Sequence, residues 1–187
     1  MSAPLRIARG LELRPLKVAD APALFELVDQ DRARLRMWLP WVEVTTEVAH
    51  TRTFIRLHQS LEKQGQVRTF GLWWKSRLVG VADLHSIDTQ NASAAMGYWL
   101  VLDVEGHGLM ARAVAKLLDL AFETLHLHRV ELRAAVRNRR SRALAERLGF
   151  HHEGTARGAL VLRGRFTDHA VYAMVAEEWA TRSRPRR

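Results

Sequence analysis

The segment WLVLDVEGHGLMARAV, residues 99–114, joins an apolar stretch to a helical pattern through Gly106 and Gly108. After the glycines, apolar residues recur every three or four positions, which predicts one buried helix face from Met110 to about His126. These apolar residues are Met110, Ala113, Val114, Leu117, Leu118, Ala121 and Leu125. A loop without Cβ atoms exposes backbone N–H groups at the start of a helix, where an anion can bind. The same glycines also fit a tight turn that needs positive φ angles, and both interpretations remain open at this point.

The composition excludes several classes of protein. The chain has 187 residues, of which 48% are hydrophobic and 26% are charged, so we expect one globular domain. It contains no cysteine, which excludes a disulfide framework, a thiolate nucleophile and a cysteine-based zinc site, and we predict no metal. A net charge of +9 favours an acidic partner such as nucleic acid, a phosphorylated cofactor or an acidic protein. Most of the charged side chains are nevertheless expected on the solvated surface.

The N-terminus, MSAPLRIARG, lacks the apolar core of a signal peptide. No run in the chain approaches the roughly 18 apolar residues that span a bilayer. We therefore expect a cytoplasmic protein with no membrane partner.

Alternating and helical patterns predict the elements that precede the glycines. A strand covers residues 11–16, and Asp20 caps the helix that follows it. Residues 36–44 form a loop, and a second long helix runs from about residue 46 to residue 64. Three strands then form an antiparallel meander within residues 67–103.

The remaining elements complete a single domain. A strand is predicted at residues 129–136, a helix at 141–148 and a hairpin at 158–175. Together with the glycine unit they predict a mixed α/β (α+β) fold whose first half is largely antiparallel. The domain is expected to cover residues 1–181 and to be followed by a disordered basic tail at 182–187.

Gly106, Gly108 and Ala111 also fit the dinucleotide fingerprint G-x-G-x-x-G/A, and Glu131 lies 20 residues after Ala111. That fingerprint belongs in the first turn of a parallel βαβ unit. Here the glycines follow an antiparallel meander, and Glu131 lies within a predicted strand. A nicotinamide cofactor is therefore disfavoured.

Five segments of the chain resemble one protein family. They are LRPLKVADAPALFEL, WLPWV, GYWLVLDVEGHGLMARAVAKLLDLAF, HRVELRAAVRNRRSRALAERLGFHHEGTAR and VYAMV. Together they resemble the GNAT superfamily of acetyl-CoA-dependent N-acyltransferases, and within it the RimJ/RimL branch of ribosomal-protein N-acetyltransferases. The resemblance implies a mixed, mostly antiparallel central sheet with helices on both faces. It also implies acetyl-CoA (CoA) as the cofactor and a homodimer as the assembly.

The resemblance places the cofactor contacts in two neighbouring segments. Family members bind the CoA pyrophosphate with a Q/R-x-x-G-x-G/A loop, which corresponds here to residues 105–110, although Glu105 replaces the usual cationic or amide residue. The preceding strand resembles one that holds the pantetheine arm, so strands 94–102 and 129–136 are expected to diverge around the cofactor. The cofactor-binding residues that the resemblance implies are Leu100, Val101, Leu102, Gly106, His107, Gly108, Leu109, Met110, Ala111 and Asn138.

Asn138 and Ser141 form an N-x-x-S pattern between a predicted strand and a predicted helix. In the RimJ/RimL branch this pattern contacts CoA, and many GNAT enzymes carry a tyrosine four residues after the serine that protonates the leaving thiolate. That position is Ala145 here, so Ser141 is the candidate general acid, directly or through water. The alternatives are a serine that only satisfies backbone donors at a helix N-terminus and an asparagine that only forms a turn.

The general base has fewer candidates. Related enzymes often carry a glutamate on the strand before the glycine loop or in the C-terminal hairpin, but Ala95 and Leu160 occupy those positions. Asp83 and His85 lie on the neighbouring strand, where alternation places both side chains on one face. Imidazole titrates near neutral pH, so His85 is the candidate catalytic base, with an ordered water as the alternative.

Trp38 and Trp41 flank Pro40 in the segment at residues 36–44, which the resemblance places near the acyl site. Aromatic side chains supply rigid contact area, so both are candidates for the wall of the substrate-binding pocket. A hydrophobic clamp between helices is the alternative.

These features predict an acetyl-CoA-dependent N-acetyltransferase in which a primary amine attacks the thioester directly, without a covalent enzyme intermediate. The resemblance implies the N-terminal amine of a ribosomal protein as the acceptor, while a small-molecule amine such as an antibiotic or a polyamine fits the same scaffold. A non-enzymatic nucleic-acid-binding module is a further alternative, based on the net charge of +9 and the arginine-rich C-terminus. No helix-turn-helix signature is evident, so no direct requirement for nucleic acid is expected.

Overall fold

The computed structural model describes residues 3–183, which form one eight-stranded sheet with helices packed on it. The strands are β1 Leu5–Ala8, β2 Leu11–Pro15, β3 Arg68–Trp74, β4 Arg77–Asp88, β5 Ser93–Leu100, β6 Arg129–Ala135, β7 His151–Leu162 and β8 Arg165–Val175. The helices are α1 Ala21–Gln30, α2 Arg32–Leu35, α3 Trp41–Val44, α4 Val48–Lys63, α5 Leu109–Asp119, α6 Arg139–Leu148 and α7 Ala176–Ser183. Within residues 3–183, no helix has both the length and the apolar character needed to cross a membrane.

The strand order across the sheet is β1-β2-β3-β4-β5-β6-β8-β7. Neighbouring strands are antiparallel except β5 and β6, which are parallel because α5 carries the chain back between them. The sheet is therefore mixed and mostly antiparallel, which confirms the predicted α/β (α+β) class.

Side-chain contacts show that helices cover both faces of the sheet. His58 on α4 contacts Thr69 on β3, with 2.7 Å between Nδ1 and Oγ1. Thr69 is paired with Asp83, and Asp83 with Gly97, so all three residues lie on the face toward α4. Tyr98 follows Gly97 and points the opposite way, where its hydroxyl contacts α6. We call these two sides the α4 face and the α6 face.

The hydrophobic core lies between the sheet and these helices. The helix predicted to reach His126 ends at Asp119 and is followed by a π-helical turn at Leu120–Thr124. The predicted apolar residues are buried through Ala121 in that turn, and Leu125 at its end is partly buried. Strand residues from both halves of the sheet pack in the same core, among them Leu13, Phe70, Leu84 and Tyr172. Packing of α5 against the sheet fixes the position of the glycine loop at its N-terminus.

Several predicted boundaries are wrong, and the hairpin predicted at 158–175 begins at His151. The segment at 36–44 contains the helix α3 instead of a continuous loop, because Pro40 has a φ of −63° and is compatible with a helix start. The strand predicted to reach residue 103 ends at Leu100, and a 3₁₀ turn follows at Leu102–Val104.

Other differences concern caps and chain ends. Asp20 precedes α1 as predicted, but its carboxylate accepts the backbone N–H of Lys17 at 2.7 Å and closes a 3₁₀ turn instead. The elements β1 and α7 are additional to the predicted ones. Helix α7 extends to Ser183, and residues 184–187 of the predicted tail lie outside the described residues.

Candidate functional site

A gap opens in the sheet where β5 parts from β6. Within residues 3–183 the pairing of these two strands ends at Met96 and Leu132. Strand β5 stays paired with β4 as far as Leu100, and β6 stays paired with β8 as far as Ala135. The divergence predicted between the strands at 94–102 and 129–136 is therefore present.

The gap exposes hydrogen-bonding groups of the β5 backbone. The N–H of Val101 donates to the carbonyl of Val79 at 2.9 Å, which fixes the alternation of the β4–β5 ladder. The N–H groups of Tyr98 and Leu100 therefore point away from β4 and toward the gap. Of the three strand residues predicted to contact the cofactor, Leu100 lines the gap. Val101 is bonded to β4, and Leu102 lies in the following 3₁₀ turn.

The glycine loop leads from β5 into α5. Its glycines are left-handed, with φ of +82° at Gly106 and +68° at Gly108. These φ angles favour glycine at both positions. A Cβ at either would meet no atom within 4 Å, so the space beside the glycines is open. The N–H groups of Leu109, Met110 and Ala111 begin α5 and lack acceptors in the helix. The loop thus combines the tight turn and the exposed donors that the two interpretations of the sequence require.

Glu105, the residue that departs from the family pattern, is held by two arginines. Its carboxylate accepts from Nη1 of Arg34 at 2.8 Å and from Arg140 at the start of α6. Arg34 also donates to the carbonyl of Leu100 at 2.6 Å and pairs with Asp31 on its own segment. The acidic charge is therefore neutralised, and one guanidinium joins the loop to the end of β5.

His107 is exposed at the centre of the loop and contacts two of its neighbours. Its ring lies against Trp74, with 5.2 Å between the centroids, and its Nδ1 lies 3.1 Å from the carbonyl oxygen of Glu105. Arg112 and Arg140 contact the same loop and concentrate positive charge there.

Ser141 lies on the α6 face of the gap and contacts Tyr98. Asn138 caps α6, because its Oδ1 accepts the backbone N–H of Ser141 at 3.2 Å. The serine hydroxyl is therefore not a cap, and its Oγ lies 2.9 Å from the hydroxyl of Tyr98. Desolvation raises the pKa of Tyr98 to about 12, so the phenol keeps its proton at neutral pH. When the phenol donates to Ser141, the serine hydrogen is free for another acceptor.

Tyr98 and Arg34 are functional candidates that the sequence did not predict. The tyrosine position expected on α6 is Ala145, which is fully buried, and the phenol comes from β5 instead. The Tyr98–Ser141 contact joins residues 43 positions apart, and the Arg34–Glu105 pair joins residues 71 positions apart. The only local signal for Tyr98 is its place next to Gly97 near the end of an apolar strand.

On the α4 face of the gap, Asp83 and His85 flank Gly97. Asp83 pairs with Gly97 and His85 with Ala95, which confirms that the two side chains share a face. A Cβ at Gly97 would lie 3.1 Å from Oδ1 of Asp83 and 3.7 Å from Cδ2 of His85. Desolvation raises the pKa of Asp83 to about 7 and lowers the pKa of His85. Ser141 and His85, the predicted acid and base, thus lie on opposite faces of the sheet.

Trp41 lies beside the α4 face. Its ring centroid is 6.1 Å from that of Trp99, which follows Gly97 by two residues and shares its face. Arg32 donates to the carbonyls of Val42 and Thr45 at 2.6 and 2.7 Å and so fixes the chain segment that carries Trp41. Trp41 keeps 37% of its surface exposed and can still contact a ligand, whereas Trp38 is half-buried in the preceding turn.

Comparison with known proteins identifies relatives of nearly the whole chain. Residues 10–151 match the acetyltransferase (GNAT) domain family. YdaF of Bacillus subtilis (strain 168) is 35% identical over 175 residues, which are 93% of this chain and 96% of that protein. The ribosomal-protein-serine acetyltransferase of Escherichia coli (strain K12) is 25% identical over 177 residues, 95% of this chain and 99% of that protein. A solved structure with the same fold is that of RimL, a ribosomal L7/L12 alpha-N-protein acetyltransferase, in complex with coenzyme A. It matches with a TM-score of 0.90 and 27% identity, over 94% of this chain and 99% of the RimL chain.

Replacing Asp83 with Asn is expected to change how stability depends on pH. The pKa of Asp83 is raised to about 7 in the folded protein, whereas an unfolded chain has a value of about 3.9. The folded state therefore holds a proton that the unfolded state has released, and this contribution is complete below about pH 4 and lost by about pH 7. The thermal midpoint of Asp83→Asn should rise relative to that of the parent protein across this range.

Asp88→Asn is the matched control, because Asp88 lies on the same strand, is not paired with Gly97, and has a pKa lowered by the backbone N–H of Asn91. Its thermal midpoint should not rise relative to the parent across the same pH range. A difference between Asp83→Asn and the parent that stays constant with pH would contradict the raised pKa.

Proposed function

Because the chain belongs to the GNAT acetyltransferase family, whose members acetylate amines with acetyl-CoA, we propose that it acetylates the N-terminal amine of a ribosomal protein. The proposal depends most on the gap between β5 and β6, which has a hydroxyl pair on its α6 face and two ionisable groups on its α4 face. A thioester in the gap would have a proton donor on one side and a proton acceptor on the other. The names of the E. coli relative and of RimL support a ribosomal-protein acceptor.

We propose that the pyrophosphate of CoA binds above the glycine loop. The N–H groups of residues 106–111 supply donors, and the helix dipole of α5 favours negative charge at this end. Arg112 and Arg140 attract the phosphates. The pantetheine arm would run along β5 in the gap, past the N–H of Leu100. Asn138 uses its oxygen as a cap, so its contact with CoA would come from its amide nitrogen.

Acetyl transfer requires three events, and the gap offers a group for each. The amine must lose a proton, and the α4 face carries two ionisable groups, Asp83 and His85, that can accept it. The carbonyl oxygen gains negative charge when the C–N bond forms, and the N–H groups of Tyr98 and Leu100 can donate to it. The sulfur takes a proton when the C–S bond breaks, and Ser141 supplies it with Tyr98 as its hydrogen-bond partner.

The acceptor is proposed to enter on the α4 face. Trp41 and Trp99 form an aromatic wall there, and Trp41 is exposed enough to contact a peptide. Trp38 belongs to the same segment and is proposed to support that wall. The homodimer stays a prediction from the family resemblance, and the cytoplasmic location stays a prediction from the sequence.

Thiol release from acetyl-CoA tests the proposed function, measured with short ribosomal-protein N-terminal peptides, polyamines and aminoglycosides as acceptors. We expect turnover with the peptides. Ser141→Ala should lower kcat about 100-fold, because it removes the proton donor to the thiolate, and should leave the Kd for CoA unchanged. Ser60→Ala removes a serine hydroxyl from the exposed surface of α4 and should behave as the parent protein does.

Release of thiol with none of the three acceptor classes would contradict the proposed function. Turnover with polyamines or aminoglycosides but not with peptides would support the acetyltransferase activity and contradict the proposed ribosomal-protein acceptor. An unchanged kcat for Ser141→Ala would remove Ser141 from the mechanism.

The anion role of the glycine loop can be separated from its conformational role. Gly108 and Gly164 have similar φ angles of +68° and +72°, and a Cβ at either would meet no atom within 4 Å. Alanine at each position should therefore cost a similar amount of stability. Only Gly108→Ala should weaken CoA binding, by about tenfold as measured by calorimetry, because it distorts the donors of the loop. Equal CoA affinity in the two variants would contradict binding at this loop.

A further inference from the structure

The α4 face of the gap holds a carboxylate that the family pattern does not predict. Ala95 and Leu160, where related enzymes are expected to carry a glutamate, have no ionisable side chain. Asp83 lies one strand away, on β4, and pairs with Gly97. Gly97 is two residues beyond Ala95 on β5 and therefore shares its face. A carboxylate is thus present near the expected position but comes from a different strand.

Gly97 leaves the space that Asp83 fills. It is the first residue of β5 after the pairing with β6 ends at Met96. Because Gly97 has no side chain, Oδ1 of Asp83 reaches to 3.1 Å from the position that a Cβ would take. The same oxygen accepts the N–H of Gly97 at 3.2 Å. The carboxylate therefore lies beside the opening of the gap, on the face that also presents the tryptophan wall.

Asp83 has an oxygen available for a proton. Among the residues that the structure describes, the N–H of Gly97 is its hydrogen-bond donor, and no salt bridge engages the carboxylate. Three ionisable groups of this face lie nearby: His85 on β4, Glu131 on β6 and His58 on α4. Arg129 and Arg133, which share the face on β6, form ion pairs with Glu131. Glu131 and His58 interact electrostatically with His85, and burial is the main influence on Asp83.

We propose that Asp83 is the general base that takes the proton from the ammonium group of the acceptor, and that His85 passes this proton on to solvent. The inference rests on the acetyltransferase function proposed above. It assigns the two ionisable groups of the α4 face to consecutive steps of one proton path.

The protons and electrons of this reaction balance as follows. The ammonium proton moves to the carboxylate of Asp83, and the nitrogen lone pair then forms the C–N bond to the thioester carbon. The C–S bond breaks with its electron pair on sulfur. The second nitrogen proton replaces the one that Ser141 gives to sulfur, so the products are an amide, a thiol and the proton that Asp83 releases through His85.

The acidity of Asp83 bears on the choice of acceptor. A base with a pKa of about 7 nearly matches an α-amine, whose own pKa is about 7.7 to 8.0. The side chain of lysine has a pKa of about 10.4, so its deprotonation by the same base is much less favourable. The site therefore favours N-terminal amines over lysine side chains and over polyamines.

The test is the pH dependence of kcat for the parent protein, Asp83→Asn and His85→Asn, measured with an N-terminal peptide. Asparagine keeps an oxygen that can accept the N–H of Gly97 but cannot take the proton. For the parent we expect kcat to rise to a plateau with a midpoint near pH 7. Asp83→Asn should lower the plateau about 100-fold and remove this midpoint. The remaining pH dependence should then follow the pKa of the acceptor amine, while the KM for acetyl-CoA stays unchanged.

His85→Asn should keep the midpoint and lose less activity than Asp83→Asn, and Asp88→Asn should match the parent. An Asp83→Asn variant that keeps both plateau and midpoint would overturn the inference, as would loss of the midpoint in His85→Asn alone. A parent protein that acetylates no amine would overturn the proposed function together with this inference. That outcome differs from an active parent protein whose pH profile is unchanged in Asp83→Asn, which would overturn this inference alone.

A second measurement applies even if Asp83→Asn does not fold. Carbon NMR of the parent protein reports the titration of the Asp83 carboxyl directly. Its midpoint should coincide with that of kcat, near pH 7. A carboxyl that titrates in the ordinary range of aspartate would overturn the inference.

Discussion

The loss of pairing between β5 and β6 beyond Met96 and Leu132 is the constraint on which the rest of the site depends. Backbone N–H and C=O groups without partners destabilise a folded chain unless something binds them. Continued pairing with β4 keeps β5 in place, and Arg34 binds the carbonyl of Leu100 at 2.6 Å. The remaining donors face a gap that suits an extended polar ligand. Gly97 and Tyr98 lie on opposite faces of β5. The strand therefore has Asp83 and His85, the base candidates, on one side of that ligand and the Tyr98–Ser141 pair, the acid candidate, on the other.

A small set of charges ties the gap to its surroundings. Glu105 would oppose an anion if its carboxylate faced the loop, but Arg34 and Arg140 bind it. Arg34 lies on α2, between α1 and the segment that carries Trp41, and it reaches both the loop and the end of β5. Arg34 therefore joins α2 to both the glycine loop and the end of β5.

Local patterns predicted the parts of the fold that depend on nearby residues. The glycine loop, the apolar face of α5 and the shared face of Asp83 and His85 follow from helical and strand periodicity, and the structure has all three. The Tyr98–Ser141 contact and the arginine pairs of Glu105 join residues distant in sequence, which periodicity cannot relate. Strand β1 and helix α7 were missed because both are short and depend on packing against the sheet. The roles of the individual site residues stay predictions.

A crystal structure with acetyl-CoA bound is the most direct test of the two-sided gap. We expect the thioester to lie between β5 and β6, with its sulfur within hydrogen-bonding distance of Ser141 on the α6 face and its carbonyl carbon open to Asp83 from the α4 face. A thioester bound outside this gap, or one whose sulfur faces Asp83 instead of Ser141, would contradict the proposed arrangement.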